Sequence, residues 1–335
     1  MISKRFSFDS RPLLNLSPFQ ESIKSAINEK ISAKQYVFED VNCPVCHSNE
    51  FEKLAEKDRY GLFFPVVICK DCGLVRSNPR MNENSYRKFY MDDYRDLYEG
   101  KPEPDNRFFN QQYKKGEKIY KFLSKVENLN LNEKRKVFEV GCGAGGILEY
   151  FKRKGHEVSG IDLNGKYLEF GKKNYNLDLT VSSLTDYSIK NSPDIIIYSH
   201  VLEHILNLDQ ELQNIHKLLS SEGNLYVEVP GIKNLQLSYD MDFLKYLQNA
   251  HVYHFTLESL NNLLSKNGFG LIKGNQIIMS VFKKTQEKAA GINLINDYIK
   301  TTSFLKNLEK TRKLFPEPAR KFYSKYGLFI QSKVI

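Results

Sequence analysis

From residue 136 onward the chain alternates short apolar runs with amphipathic stretches of about ten residues, and this rhythm restricts the fold more than any other feature. The runs KVFEV (136–140), EVSGID (157–162), LDLTV (177–181), DIIIYS (194–199) and NLYVEVP (224–230) read as strands. Between them, ILEYFKRKG (147–155), KYLEFGKKN (166–174) and ELQNIHKLL (211–219) repeat apolar residues at helical spacing. LESLNNLLSKNGF (257–269) adds a helix, and GLIKG and IIMSVFKK close the series as a hairpin through Gly274-Asn275. Strands alternating with helices predict an α/β fold, a doubly wound, mostly parallel sheet. In such a sheet, ligands collect beyond the carboxyl ends of the strands, where strand order reverses.

The loop after the first predicted strand, FEVGCGAGG (138–146), sits at such an end. Glycines at this density remove side chains where a backbone must turn sharply and approach a ligand closely. Gly141, Gly143 and Gly146 satisfy G-x-G-x-x-G, the dinucleotide fingerprint. Glu139, Gly141, Gly143 and Gly145 equally satisfy E-x-G-x-G-x-G, the pattern of S-adenosylmethionine sites. Asp162 follows Gly143 by 19 residues and ends the second strand, where a carboxylate accepts both hydroxyls of an adenosine ribose. Both cofactors carry that ribose, so the loop and the acid together leave the two open.

The stretch SHVLEHI, with His200, after the fourth strand and VEVPG after the fifth complete a set. With GCGAGG and Asp162 it resembles the class I S-adenosylmethionine-dependent methyltransferases, over about residues 136–283. The resemblance implies that Glu139, Gly141, Gly143 and Gly145 shape the methionine side of a cofactor pocket. It further implies that Asp162 binds the ribose, that Leu163 lies along the adenine with Ser183 and Leu184 bordering it, and that His200 faces the sulfonium.

Upstream, Cys43-Pro-Val-Cys46 and Cys69-Lys-Asp-Cys72 form two C-x2-C knuckles with 22 residues between them. Two knuckles supply four soft ligands, so the spacing predicts a closed, structural Zn²⁺ site. Gly73 follows the second knuckle, where the turn needs a positive φ. His47 stays outside the complete shell, and Cys142 reads as a small buried residue of the glycine loop. The linear divisions that follow are an arm at 1–40, a zinc ribbon at 41–80, a helical lid or linker at 81–135 with a break at 100–104, the cofactor-binding domain at 136–285, and a basic helical segment at 286–335.

The knuckles with CGLVRSNPR, the tyrosine-rich stretch 86–98 and NAHVYHFTLESLNNLL (249–264) resemble a narrower group, methyltransferases with an N-terminal zinc ribbon in bacterial sugar and surface-polysaccharide biosynthesis. In the sugar C-methyltransferases of that group the matching loop reads Y-x-E-H, its last histidine at the acceptor. Here it reads His251-Val252-Tyr253-His254, without the glutamate or the first tyrosine. The departure favours O-methylation of a sugar, small or polymeric, over C-methylation. A sugar hydroxyl gains from a general base, and His254, then His251, are the expected bases, with His200 beside the cofactor and Tyr90 and Tyr94 as caps.

A hydrophobic content of 41% with 27% charged residues excludes wholesale disorder. No apolar run approaches the ~18 residues of a membrane span, and the N-terminus lacks the apolar core of a signal peptide, so a cytoplasmic protein is expected. The net charge is +9, and residues 286–335 carry ten Lys/Arg against four Asp/Glu. That segment suits a solvated helical face or peripheral contact with an anionic membrane. An RNA methyltransferase with a zinc ribbon and a non-catalytic scaffold are the alternatives. The weakly basic knuckle region argues against nucleic acid, and the intact glycine loop argues against the scaffold.

Overall fold

The computed structural model describes residues 1–99, 105–188, 191–285 and 293–322. Strands β1 (Lys136–Val140), β2 (Glu157–Asp162), β3 (Asp178–Val181), β4 (Ile195–Ser199), β5 (Asn224–Glu228), β6 (Phe269–Gly274) and β7 (Met279–Lys284) form one sheet in the order β6-β7-β5-β4-β1-β2-β3. Strands β1 to β5 pair in parallel, and β7 runs antiparallel to both β5 and β6. The order reverses between β1 and β4, so the switch point lies beyond their carboxyl ends. Ile195, Ile196, Ile197 and Tyr198 are all buried, the continuous apolar pattern of a strand covered on both faces. The α/β sheet expected from the alternation is therefore present, with its closing hairpin. No helix among the described residues is long and apolar enough to cross a membrane.

The chain divides into two compact units that do not follow the linear divisions. The sheet unit comprises Glu103–Val229 and Leu260–Asn293; the cysteine unit comprises Met1–Pro102, Pro230–Ser259 and Leu294–Ile335. Pro230–Ser259, expected within 136–285, thus groups with the N-terminal residues.

In the sheet unit, helix Asn106–Leu123 starts where the Asp105 carboxylate accepts the Phe108 amide. Its Ile119, Phe122 and Leu123 share one core with Val137, Ile147, Leu148 and Phe151. In the cysteine unit, the hairpin Phe51–Lys57/Phe63–Cys69 is extended by Val75–Ser77 and then by Tyr253–His254. Leu54, Val66, Ile68 and Val75 from this small sheet pack with Ile232, Leu235 and Phe243 and with Leu305 and Leu308 of helix Tyr298–Leu314. Arg5 ties together three distant segments by pairing with Asp242 at 2.6 Å and Glu309 at 2.9 Å. The arm expected at 1–40 holds helix Pro18–Ser32, opened by a Ser17/Gln20 capping box. The predicted break at 100–104, and 286–292 and 323–335 of the basic segment, lie outside the described residues.

Gly116 marks the closest approach of helix Asn106–Leu123 to helix Gly146–Arg153. A Cβ there would lie 2.9 Å from both the Ile147 carbonyl oxygen and Tyr150 Cβ, atoms with little freedom to move. Gly116→Ala should therefore destabilise the protein by about 1–3 kcal/mol through overpacking, although alanine is the better helix former. Chemical denaturation checks this, and a stabilised variant would refute it.

Candidate functional site

After β1 the backbone turns through Gly141, Gly143 and Gly145 at φ of +70°, +54° and +78°. At Gly141 a Cβ would also fall 2.4 Å from Val201 Cγ2, so conformation and space both require glycine. The amides of Gly141 and Cys142 donate to the Ile161 carbonyl at 2.8 and 3.0 Å, drawing the loop against the end of β2. Asp162 completes the closure: its Oδ2 accepts the Gly143 amide at 2.8 Å and its Oδ1 accepts the Asn164 amide at 2.8 Å. Each oxygen retains a lone pair for a hydroxyl.

Glu139 is 1% exposed and its Oε2 has no hydrogen-bond partner. Burial pushes its carboxyl well above the usual range, against the pull of Lys115 and with the help of Asp162. A buried, unsatisfied carboxyl beside a side-chain-free turn is an acceptor that can take an ammonium group. Leu163 is 55% exposed, Leu184 is buried, and the Ser183 hydroxyl donates to Asp186 at 2.6 Å.

His200 follows β4 in a left-handed conformation, φ +58°, and its amide donates to the Glu228 carbonyl. Its Nδ1 lies 3.4 Å from Glu203 and its Nε2 3.6 Å from Glu228. Burial and Lys115 pull its pKa down, but the bonds to Glu203 and Glu228 outweigh them and raise it to about 9, an effect moderated at the exposed edge of the ring. The carboxylates thus favour the cationic imidazole near neutral pH, a state suited to electrostatic positioning.

Two contributors escaped the sequence. Gln112 donates to the Cys142 carbonyl at 3.1 Å and accepts the Gly146 amide at 3.3 Å, buttressing the loop. Lys115 supplies the charge felt by Glu139, His200 and Glu228. Both lie on helix Asn106–Leu123, whose periodicity marks an amphipathic helix but not what it faces.

The other two candidate bases, His254 and His251, belong to the cysteine unit. His254 is completely buried against Phe64 and Tyr246, both ring nitrogens lack partners, and burial lowers its pKa to about 3. It is neutral at physiological pH, and burial makes it a weaker base than free histidine. His251 is also buried, and its Nε2 meets the Gln248 amide. Tyr90 and Tyr94 stack on each other at 5.1 Å, and Tyr94 stacks on Tyr98 at 5.5 Å. Stacking at i, i+4 is helix packing.

The four knuckle cysteines converge. Their Sγ atoms all lie within 4.8 Å of one another, with Cys43–Cys72 at 3.5 Å and Cys46–Cys69 at 3.4 Å. Tetrahedral thiolates about 2.3 Å from a zinc ion sit roughly 3.8 Å apart, so the donor set fits. Hydrogen bonds from Cys43 and Cys72 hold the Cys69 thiol low, while burial pushes Cys46 up to about 12. A divalent cation bound by the four sulfurs would hold them as thiolates.

Residues 109–273 match the family model described as a methyltransferase domain, just under half of the chain. The chain carries a methyltransferase domain over these residues. The antiparallel β7 between β5 and β6 also departs from the 3-2-1-4-5-6 order of the dinucleotide-binding fold. The chain is 25% identical over 155 residues to the mitochondrial ubiquinone biosynthesis O-methyltransferase of Rattus norvegicus, a match covering 41% of this chain and 44% of that protein. It is 25% identical over 152 residues to the C-methyltransferase NovU of Streptomyces niveus, covering 44% and 36%. The chain therefore spans less than half the length of these curated relatives. A solved structure similar to it is the 1,6-didemethyltoxoflavin-N1-methyltransferase of Burkholderia thailandensis, at a TM-score of 0.45 and 16% identity, covering 64% of this chain and 96% of that one.

His200 and His254 respond to pH in opposite directions. His200, raised from 6.5 to about 9, stabilises fully below pH 6.5 and loses that contribution as pH rises toward 9. His254, lowered from 6.5 to about 3, costs stability as pH falls from 6.5 toward 3. Thermal midpoints of His200→Gln should accordingly flatten on the alkaline limb and those of His254→Phe on the acid limb; unchanged slopes would contradict the assignments.

Proposed function

We propose that the protein transfers a methyl group from S-adenosylmethionine to a sugar, at oxygen rather than carbon, in the making of nucleotide sugars, O-antigen or capsule polysaccharide. The observation that carries the transfer is the loop after β1: three left-handed glycines, the unsatisfied buried Glu139, and Asp162 clamped to the Gly143 amide. The cofactor supplies an electrophilic methyl on a sulfonium. Glu139 would meet its ammonium group, Asp162 its ribose hydroxyls, and exposed Leu163 its adenine face, with Ser183 and Leu184 at the border.

The sugar acceptor rests on the likeness of the two knuckles and of 249–264 to sugar methyltransferases. Named relatives act at oxygen and at carbon. The replacement of a loop glutamate by Tyr253 supports oxygen: burial keeps that hydroxyl protonated, and it receives Arg80 Nη1 at 3.0 Å, leaving no carboxylate there to draw a proton from carbon. The four thiols would hold zinc as a structural ion, and the enzyme would work in the cytosol.

Asp162→Ala should weaken S-adenosylmethionine binding by roughly 10–100-fold, about 1.4–2.7 kcal/mol, in calorimetry; equal affinity would remove Asp162 from the site. For the acceptor, the protein is incubated with methyl-labelled cofactor and either nucleotide sugars and cell-envelope glycans or total RNA. Label on a sugar oxygen is expected. Label on RNA, or none despite bound cofactor, would overturn the reading.

A further inference from the structure

Arg76, in the strand Val75–Ser77, is 1% exposed and among the largest fully buried side chains. Its Nε and Nη1 have no hydrogen-bond partner, and among the described residues no carboxylate pairs with it. A guanidinium cannot shed its proton, so an isolated one inside a protein costs several kcal/mol. Such a group calls for an anion.

Strand register indicates which one. Arg76 pairs with Val67, and Phe51 pairs with Cys69. Val67 and Cys69 stand two residues apart on one strand, so Arg76, Phe51 and the zinc-ligand candidate Cys69 share a sheet face. The guanidinium lies over the Phe51 ring at 6.0 Å, reaching along that face. From the other edge Tyr253 pairs with Arg76. Neighbouring cations are already matched: Lys70 pairs with Glu50, and Arg80 pairs with Glu39.

Four thiolates around one divalent ion leave a net charge of about −2, buried where low dielectric magnifies it. That surplus calls for a cation beyond the metal, as Arg76 calls for an anion. We propose that Arg76 is the buried counter-charge of a tetrathiolate zinc centre, a positioning residue that tightens metal binding. The inference rests on the structural-zinc reading above.

The test uses the full chain, loaded with zinc and competed against a chelator, with cobalt substitution to follow the thiolate charge-transfer band. Wild type should bind one zinc per chain. Arg76→Met should weaken zinc by roughly 10–100-fold, as loss of an outer-shell partner does, and should shrink the rise in Tm on metal loading. Arg76→Lys should recover most of the affinity. Arg76→Gln, polar but uncharged, takes the place of the methionine variant if that one does not fold by circular dichroism. A folded, uncharged variant that binds zinc within about twofold of wild type overturns the inference and leaves the zinc reading standing. So does inorganic phosphate that raises Tm in wild type but not in the uncharged variant while zinc affinity is unchanged. Wild type that binds no metal defeats the zinc reading itself, and the inference with it.

Discussion

One carboxylate closes the ligand-binding end of the sheet. Asp162 takes the Gly143 amide with one oxygen and the Asn164 amide with the other, tying the turn after β1 to the turn after β2. Without that clamp the glycines would confer freedom and no shape, because three left-handed residues in succession have no side chains to hold them. Gln112 braces the same loop from the opposite side, through the Cys142 carbonyl and the Gly146 amide. The loop is thus shaped by its backbone and held by two side chains.

Charge is organised differently in the two units. At the carboxyl ends of β4 and β5, His200, Glu203 and Glu228 answer one another, and burial penalties are outweighed by partners. His254 has no partner, and burial alone decides its state. Two histidines with the same intrinsic chemistry therefore end about six pH units apart, at about 9 and about 3. The thiols and Arg76 form a third case, in which each group's burial makes sense only beside the other's.

Much of the sheet was legible because its signals are local. Burial on both faces demands unbroken apolar strands such as Ile195–Ser199, and the glycines and the cysteine knuckles are short patterns with a direct geometric meaning. Pro230–Ser259 was not legible in this way. It follows β5 in the chain, yet Tyr253–His254 add a strand to the small sheet of the cysteine unit, a pairing across more than a hundred residues that no periodicity announces. That pairing buries His254, which a motif match could not announce, since it conveys residue type and not solvent access. Gln112, Lys115 and Arg76 were missed for the same reason: an amide or a cation in an amphipathic segment looks the same whether it faces water or a loop.

The sequence by itself determined the α/β alternation, the turn that only glycine can make, the acid at the end of β2 and the four convergent thiols, because each is set by steric or coordination rules acting over a few residues. Only the tertiary structure decided which polar groups lost their water: it left Glu139 and Arg76 buried without partners, favoured the cationic form of His200 and made His254 a weak base. Desolvation depends on everything packed around a group, and that packing comes from segments far apart in the chain.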